Sequence, residues 1–220
     1  MLELTPELLL TAYRNGIFPM GDEWGRIQWC QPNPRGILLP EEFHLPHGLR
    51  RFLKKCEWGI RIDVDFEITM RNCAQREETW ITKELIRLYC GLHRQGFAHS
   101  LVVCGADGET LGGLYGVHIG GIFFGESMFH RASNASKVAL FALMEILQVS
   151  DFALLDTQWS TPHLSQFGVK DISAAAYKEL LEQALLQRRI FSHPALIDRR
   201  APVSEFCRLS KSYCKQAGKN

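Results

Sequence analysis

The stretch that decides the fold is Gly125-Glu126-Ser127-Met128-Phe129-His130-Arg131-Ala132-Ser133-Asn134-Ala135-Ser136-Lys137, where we expect a strand to lead into a helix. The hairpin-like segment 114–124 precedes it, and an apolar stripe of helical period follows it up to Val149. Glu126 lies within an apolar run, and a buried carboxylate is costly unless it is paired or required for function. The stretch therefore predicts a strand–helix junction that carries a candidate reaction site.

The face that Glu126 occupies follows from the alternation of side chains along a strand. Glu126 has the same parity as Phe124 and Met128, so the three side chains are expected to share a face. A carboxylate framed by Phe and Met suits an amino group that carries an apolar side chain. The alternative is a buried ion pair between Glu126 and Arg131.

A second apolar strand, Phe152 to Trp159, carries Asp156 and Gln158. Their spacing predicts that both side chains point the same way at the C-terminal end of the strand, where open sheets tend to bind ligands. A carboxylate beside a carboxamide can hold an amine and orient it for attack on a carbonyl group. The alternative is that Asp156 caps the following short helix and Gln158 bonds to a loop backbone.

The order of elements predicts an α+β protein. A helix over 5–15 and short strands up to residue 40 indicate a small N-terminal α/β domain over 1–60. From 61 to 190 the order of helices and strands resembles the acetyltransferase (GNAT) fold, with a mixed, mostly antiparallel sheet flanked by helices. Residues 191–220 are expected to form a basic C-terminal tail.

Composition and missing motifs argue against several classes of protein. The seven Cys are scattered without a C-x-x-C pair, and neither a signal peptide nor an apolar run long enough for a membrane span is present. We therefore expect a cytoplasmic protein without metal or cofactor. The sequence lacks G-x-G-x-x-G, a P-loop, an acetyl-CoA pyrophosphate loop, H-E-x-x-H and G-x-S-x-G.

Basic residues suggest a nucleic-acid contact. A helix expected over His47 to Cys56 carries four cations on one side: Arg50, Arg51, Lys54 and Lys55. Phosphate contact and plain solvation are equally compatible with this cluster. Two further functions stay open from the residues alone, a CoA-dependent N-acetyltransferase and a non-catalytic RNA-binding protein. The second leaves Glu126, Asp156 and Gln158 unexplained.

Eight collinear segments resemble the bacterial leucyl/phenylalanyl-tRNA–protein transferases, in order between residues 4 and 168. They are Ala12-Tyr13-Arg14-Asn15-Gly16-Ile17-Phe18-Pro19, Trp29-Cys30-Gln31-Pro32-Asn33-Pro34-Arg35-Gly36, Glu78-Thr79-Trp80-Ile81, Gly96-Phe97-Ala98-His99-Ser100, Gly112-Gly113-Leu114-Tyr115-Gly116, Gly125-Glu126-Ser127-Met128-Phe129, Asn134-Ala135-Ser136-Lys137 and Asp156-Thr157-Gln158. The resemblance implies transfer of Leu or Phe, and sometimes Met, from tRNA to the α-amino group of a protein that begins with Arg or Lys. The product is marked for N-end-rule degradation, and the enzyme is expected to be a monomer.

The resemblance also implies roles for individual residues. Asp156 and Gln158 match the pair that binds and activates the incoming amine, and Glu126 matches an acid that holds the substrates at the reaction centre. Five residues match the pocket for the amino-acid side chain: Leu114, Phe123, Met128, Leu143 and Leu147. Trp29 and Trp80 match aromatics near the terminal adenosine, and the four cations Arg50, Arg51, Lys54 and Lys55 fall on a cluster that grips the tRNA.

Overall fold

The computed structural model describes residues 4–194, 196 and 200–206. The first helix, α1 (Pro6–Arg14), begins as the sequence predicts, because the Thr5 hydroxyl accepts a hydrogen bond from the Leu8 N–H and Pro6 occupies the first turn. Strands β1 (Phe18–Gly21) and β2 (Ile27–Cys30) then pair antiparallel as a separate two-stranded sheet.

The main sheet contains eight strands within the described residues. They are β3 (Arg35–Leu38), β4 (Gly59–Ile62), β5 (Ala98–Cys104), β6 (Thr110–Ile119), β7 (Ile122–His130), β8 (Leu154–Gln158), β9 (Lys170–Ile172) and β10 (Arg200–Pro202). Their order across the sheet is β10-β4-β5-β6-β7-β8-β3-β9. All neighbours pair antiparallel except β7 and β8, which are parallel. The prediction of a mixed, mostly antiparallel sheet is therefore confirmed.

Helices cover both faces of this sheet, which confirms the α+β class. Besides α1, the described residues form α2 (His47–Leu53), α3 (Phe66–Cys73), α4 (Lys83–Arg94), α5 (Ala135–Val149), α6 (Pro162–Ser165) and α7 (Ala174–Leu185), with a 3-10 turn at Pro40–Glu42. Phe123 and Phe124, which are neighbours on β7, belong to different apolar clusters. Phe123 packs with α5 in one cluster, and Phe124 packs with α1, α3, α4 and α7 in the other.

The structure differs from the sequence prediction at three places. Helix α2 ends at Leu53, three residues before the predicted end at Cys56. Strand β3 lies between β8 and β9, so the main sheet includes a strand from the predicted N-terminal domain. Strand β10 pairs with β4 although it belongs to the predicted basic tail, whose other basic residues from Arg199 to Lys219 lie outside the described residues. The domain boundaries at 60 and 190 stay a prediction.

Glu126 occupies a β-bulge on β7. Tyr115 pairs with Ser127 while the next residue, Gly116, pairs with Gly125, which leaves Glu126 as the extra residue. A bulge re-aims the side chains that follow it. Phe124 accordingly packs in the cluster of α1 and α4, whereas Met128 packs against the cluster of α5. The prediction that Phe124, Glu126 and Met128 share one face is therefore wrong.

Candidate active site

A cavity of about 380 Å³ opens where the parallel strands β7 and β8 separate. The last paired residues are Phe124 and Asp156, and the residues that follow them, Gly125 and Thr157, both line the cavity. One wall is apolar and is formed by Leu114, Met128, Leu140, Leu143 and Leu155. The lining also includes Glu126 and Gln158, so one cavity combines apolar side chains with a carboxyl and a carboxamide group.

Glu126 is held by two tyrosines from the helices beneath it. The Tyr13 hydroxyl on α1 donates to Glu126 Oε1 over 2.7 Å, and the Tyr89 hydroxyl on α4 donates to Oε2 over 3.0 Å. The two tyrosine hydroxyls also contact each other. Only 8% of the Glu126 residue surface is exposed. Burial raises the pKa of Glu126 to about 7, against the lowering effect of the two tyrosine hydrogen bonds.

Gln158 ends β8 in a left-handed backbone conformation, with φ of 66°. Its amide Nε2 donates to Glu126 Oε1 over 3.0 Å. Within the described residues its carboxamide oxygen makes no hydrogen bond, so it is available to a ligand in the cavity. Gly36 on β3 faces this turn, and a Cβ there would lie 2.4 Å from the carbonyl carbon of Trp159. A glycine is therefore required where β3 passes the turn.

Asp156 lies beneath Gln158 and is fully buried. Arg35 Nε donates to Asp156 Oδ1 over 2.9 Å and Arg35 Nη2 donates to Oδ2 over 2.7 Å. The Tyr177 hydroxyl donates to Oδ2 over 2.6 Å, and the backbone N–H of Gln158 donates to Oδ1 over 2.8 Å. Asp156 is not among the described residues that line the cavity. The carboxyl group beside the Gln158 carboxamide is that of Glu126.

The sequence also predicted seven substrate-binding residues, and some of them line the cavity while others do not. Leu114, Met128, Leu143 and Trp80 line the cavity. Among the described residues, neither Phe123 nor Leu147 lines it; both are fully buried in the cluster of α5. Trp29 lies half exposed on β2 and is likewise not part of the lining.

The structure contains neither of the two alternative arrangements, the ion pair between Glu126 and Arg131 and the capping of the short helix by Asp156. Arg131 donates to the side-chain oxygen of Asn72 rather than to Glu126. The short helix α6 is capped by the Thr161 hydroxyl rather than by Asp156. The four cations Arg50, Arg51, Lys54 and Lys55 are all exposed on α2 and just after it, and none of them forms an ion pair within the described residues.

Four residues that complete the site were given no role from the sequence: Tyr13, Arg35, Tyr89 and Tyr177. Tyr13 lies 113 residues before Glu126 in the chain, and Arg35 lies 121 residues before Asp156. Local patterns carry no information about contacts over such separations. The available signal was that Tyr13 and Arg35 both fall within the collinear segments of the family resemblance.

The sequence of this chain matches the models of one known protein family. A family model described as leucyl/phenylalanyl-tRNA protein transferase matches residues 37–182, and a model of the N-terminal domain of that transferase matches residues 3–33. The chain belongs to this family. Among its relatives, the leucyl/phenylalanyl-tRNA–protein transferase of Salinibacter ruber is 50% identical over 184 residues, which cover 83% of this chain and 81% of the relative.

Two further comparisons extend this result. The leucyl/phenylalanyl-tRNA–protein transferase of Herpetosiphon aurantiacus is 51% identical over 83% of this chain and 95% of its own length. Among solved structures, L-PGS from Bacillus licheniformis matches with a TM-score of 0.41 and 12% identity over 80% of this chain and 62% of that chain, which is too distant to assign the fold. The membership of the transferase family therefore rests on sequence.

Across the described residues, every helix is too short or too polar to span a lipid bilayer. That same part of the chain brings together no group of three His, Cys, Asp or Glu side chains that could hold a metal ion.

Proposed function

We propose that this chain is an aminoacyltransferase that moves Leu or Phe, and also Met, from aminoacyl-tRNA to the α-amino group of proteins that begin with Arg or Lys. The product would be a substrate for N-end-rule degradation. The observation that carries the proposal is the cavity between β7 and β8, which joins an apolar compartment to Glu126 and Gln158. Family membership supports the same reaction.

The apolar compartment receives the side chain of the amino acid on the tRNA. Its wall consists of Leu114, Met128, Leu140, Leu143 and Leu155, and these side chains favour an apolar group over a polar one. With the side chain there, the ester carbonyl lies towards Glu126 and Gln158. Burial of the amino-acid side chain thus orients the carbonyl carbon for attack.

The acceptor amine approaches from the Gln158 side. The carboxamide oxygen of Gln158 accepts a hydrogen bond from the α-amine and directs its lone pair towards the ester carbonyl. Asp156 acts through Gln158: its carboxylate is occupied by Arg35, Tyr177 and the Gln158 backbone N–H, and it fixes the end of β8. We therefore assign Asp156 as a positioning residue and Gln158 as a substrate-binding residue.

The tRNA body contacts the four exposed cations on α2 and just after it, which are Arg50, Arg51, Lys54 and Lys55. They form no ion pair within the described part of the chain, so they repel one another, and a phosphate backbone compensates such repulsion. Trp80 on the cavity wall, together with Trp29, stacks on the terminal adenosine. The proposal further includes an acetyltransferase-like (GNAT) fold for residues 61–190, a cytoplasmic location, a monomeric state and activity without a cofactor.

The test is transfer of radiolabelled Leu from Leu-tRNA to an Arg-Ala peptide, with Phe-tRNA and Met-tRNA as further donors. An acetylated Arg-Ala peptide, which lacks the α-amine, is the matched control. We expect labelled peptide only with the free amine. Transfer of acetyl from acetyl-CoA without any transfer from tRNA would replace the proposal by an N-acetyltransferase. Binding of tRNA without turnover would replace it by an RNA-binding protein.

A further inference from the structure

Three oxygen-to-oxygen contacts form a closed ring beneath the cavity. Tyr13 contacts Glu126 Oε1, Tyr89 contacts Glu126 Oε2, and the two tyrosine hydroxyls contact each other. Each contact needs one proton between its two oxygens. The two hydroxyls supply two protons, so the third has to come from the carboxyl group of Glu126.

An ionised Glu126 leaves this ring one proton short. If both tyrosines donate to the carboxylate, their own oxygens face each other at hydrogen-bond distance with lone pairs only. A neutral Glu126 reverses one of these bonds and satisfies every contact: Tyr13 donates to Oε1. The contact between Tyr89 and Oε2 then carries the carboxyl proton, which Oε2–H donates to Tyr89, and this leaves the Tyr89 hydroxyl free to donate to Tyr13. The Nε2 of Gln158 adds a donor to Oε1, the carbonyl oxygen of the neutral acid.

The charged groups around Glu126 favour its neutral form. No Lys, Arg or His within the described residues makes a hydrogen bond or ion pair with its carboxyl group. Burial raises the pKa of Glu126 most and outweighs the lowering effect of the hydrogen bonds from Tyr13 and Tyr89. Asp156 raises this pKa further, and Arg35, which is paired with Asp156, lowers it. The titratable groups that face Glu126 are therefore Tyr13 on α1, Tyr89 on α4, Tyr115 on β6, Asp156 on β8 and Arg35 on β3.

We propose that Glu126 is a neutral carboxylic acid in the resting enzyme and that its proton is the one given to the ribose oxygen when the aminoacyl ester is cleaved. This inference rests on the proposed aminoacyl transfer and assigns a chemical role at that same site. Tyr13 and Tyr89 are positioning residues, because their hydroxyls contact both oxygens of the acid and fix the carboxyl group in place. As donors to a carboxylate they lower the pKa of Glu126, and burial, together with the proton that the ring requires, outweighs this effect.

The step balances without any further reactant. The α-amine nitrogen bonds to the ester carbonyl carbon, and the bond between that carbon and the ribose oxygen breaks. Glu126 gives the proton that Oε2 shared with Tyr89 to the departing ribose oxygen and becomes a carboxylate, to which both tyrosines then donate. The carboxylate then takes the proton that the nitrogen loses as it becomes an amide, which restores the neutral acid. General acid–base assistance of this kind contributes a factor of about 10² to 10⁴ in rate.

The first test measures the protonation state directly and does not depend on activity. In protein labelled with ¹³C at the Glu side-chain carboxyl carbons, the Glu126 resonance is assigned by its loss in Glu126→Gln. We expect this resonance to titrate with a midpoint near 7, in the window that its raised pKa sets. A midpoint at or below the ordinary glutamate pKa of about 4.3 would overturn the inference and leave the proposed transfer reaction untouched.

A matched pair of variants tests the hydrogen-bonded ring. Tyr89→Phe removes the acceptor of the Glu126 proton, so we expect the midpoint of Glu126 to fall. A rise of the midpoint would contradict the ring, because it would show that Tyr89 acts as a donor to a carboxylate. Tyr115→Phe removes another fully buried hydroxyl, one that makes no hydrogen bond within the described residues. We expect that variant to keep the wild-type midpoint. Equal midpoints in wild type and Tyr89→Phe would contradict the ring.

The transfer assay tests the proton donation. Gln is isosteric with the neutral acid and preserves the ring, because its amide N–H donates to Tyr89 and its oxygen accepts from Tyr13. For Glu126→Gln we expect kcat to fall by about 10² to 10⁴ while KM for Leu-tRNA stays near the wild-type value. Wild-type kcat in this variant would overturn the donor role. Absence of transfer by the wild-type enzyme would instead remove the proposed function.

Discussion

Arg35 and Asp156 form a bidentate ion pair that is almost completely buried, with 1% and 0% of their side-chain surfaces exposed. The pair joins β3 to β8 directly below the point where Gln158 turns towards the cavity. Arg35 Nη1 also donates to the Gly16 carbonyl after α1 over 2.9 Å. One guanidinium group thereby ties the N-terminal segment to the end of the strand that carries the candidate site.

Loss of one partner from this pair should be strongly destabilising. Arg35→Met leaves the Asp156 carboxylate buried without its cation, which costs about 3 to 5 kcal/mol of unfolding free energy. Denaturant unfolding of Arg35→Met, Asp156→Leu and the double variant measures this cost. We expect the double variant to be more stable than the sum of the single effects predicts. Strict additivity would mean that the pair contributes nothing specific.

The exposed pair of Lys170 and Glu42 is the control for that series. Its side chains are each 44% exposed, and such surface pairs contribute about 0 to 1 kcal/mol. Lys170→Met should therefore unfold at nearly the same denaturant concentration as the wild type. A destabilisation as large as that of Arg35→Met would show that the cost does not come from burial of an unpaired charge.

The pKa of Glu126 predicts how stability depends on pH. The pKa in the folded state is raised to about 7 from an ordinary value of 4.5, so Glu126 binds its proton more tightly in the folded protein. Its contribution is fully present below pH 4.5 and is lost as the pH rises to about 7, by about 3 kcal/mol at most. Glu126→Gln cannot titrate, so the difference in unfolding free energy between variant and wild type should change over this window. A constant difference would contradict the raised pKa.

The size of the apolar compartment should control the choice of donor. Leu143→Phe adds bulk to the wall of a cavity of about 380 Å³. We expect it to reduce transfer of Phe more than transfer of Leu, because one methylene in such a pocket changes discrimination by about 1 to 3 kcal/mol. The measurement is the ratio of kcat/KM for the two donors. The control is Leu147→Phe, at a core residue that is not part of the cavity lining. If this variant changed the Phe-to-Leu ratio equally, the effect of Leu143→Phe would not come from the cavity wall.

The cations of α2 should govern tRNA affinity and its salt dependence. One variant carries Gln in place of all four cations, Arg50, Arg51, Lys54 and Lys55, and we expect it to bind tRNA more weakly. The slope of log Kd against log salt should fall by about 0.7 to 0.9 for each phosphate that is no longer neutralised. The control replaces Arg71 and Lys178, which pair with glutamates on their own helices. An unchanged slope in the α2 variant would place the tRNA elsewhere.

Much of the fold follows from local patterns in the sequence. Thr5 and Pro6 set the start of α1, and Asp107-Gly108 and Gly120-Gly121 mark the two hairpin turns between β5, β6 and β7. These signals act over a few residues and therefore appear in a single sequence. The short strands β9 and β10 have no such signal, because three residues at a sheet edge carry too little periodicity to predict a strand.

The sequence predicted which polar residues belong to the candidate site, but it did not predict how they are arranged. Glu126, Asp156 and Gln158 stand out because polar groups in apolar strands need an explanation. The bulge at Glu126 breaks the alternation on which the predicted orientation of Met128 depended. The partners that decide the chemistry, such as Tyr13 and Arg35, come from the N-terminal segment, and only the folded chain brings them to Glu126 and Asp156.

The most direct measurement is a crystal structure of the protein with leucyl-adenosine linked through an amide in place of the reactive ester. We predict that the leucyl side chain lies against Leu114, Met128 and Leu143, with its carbonyl group within hydrogen-bond reach of Glu126 or Gln158. A ligand bound outside the cavity between β7 and β8, or one with its adenosine in the apolar compartment, would contradict the account.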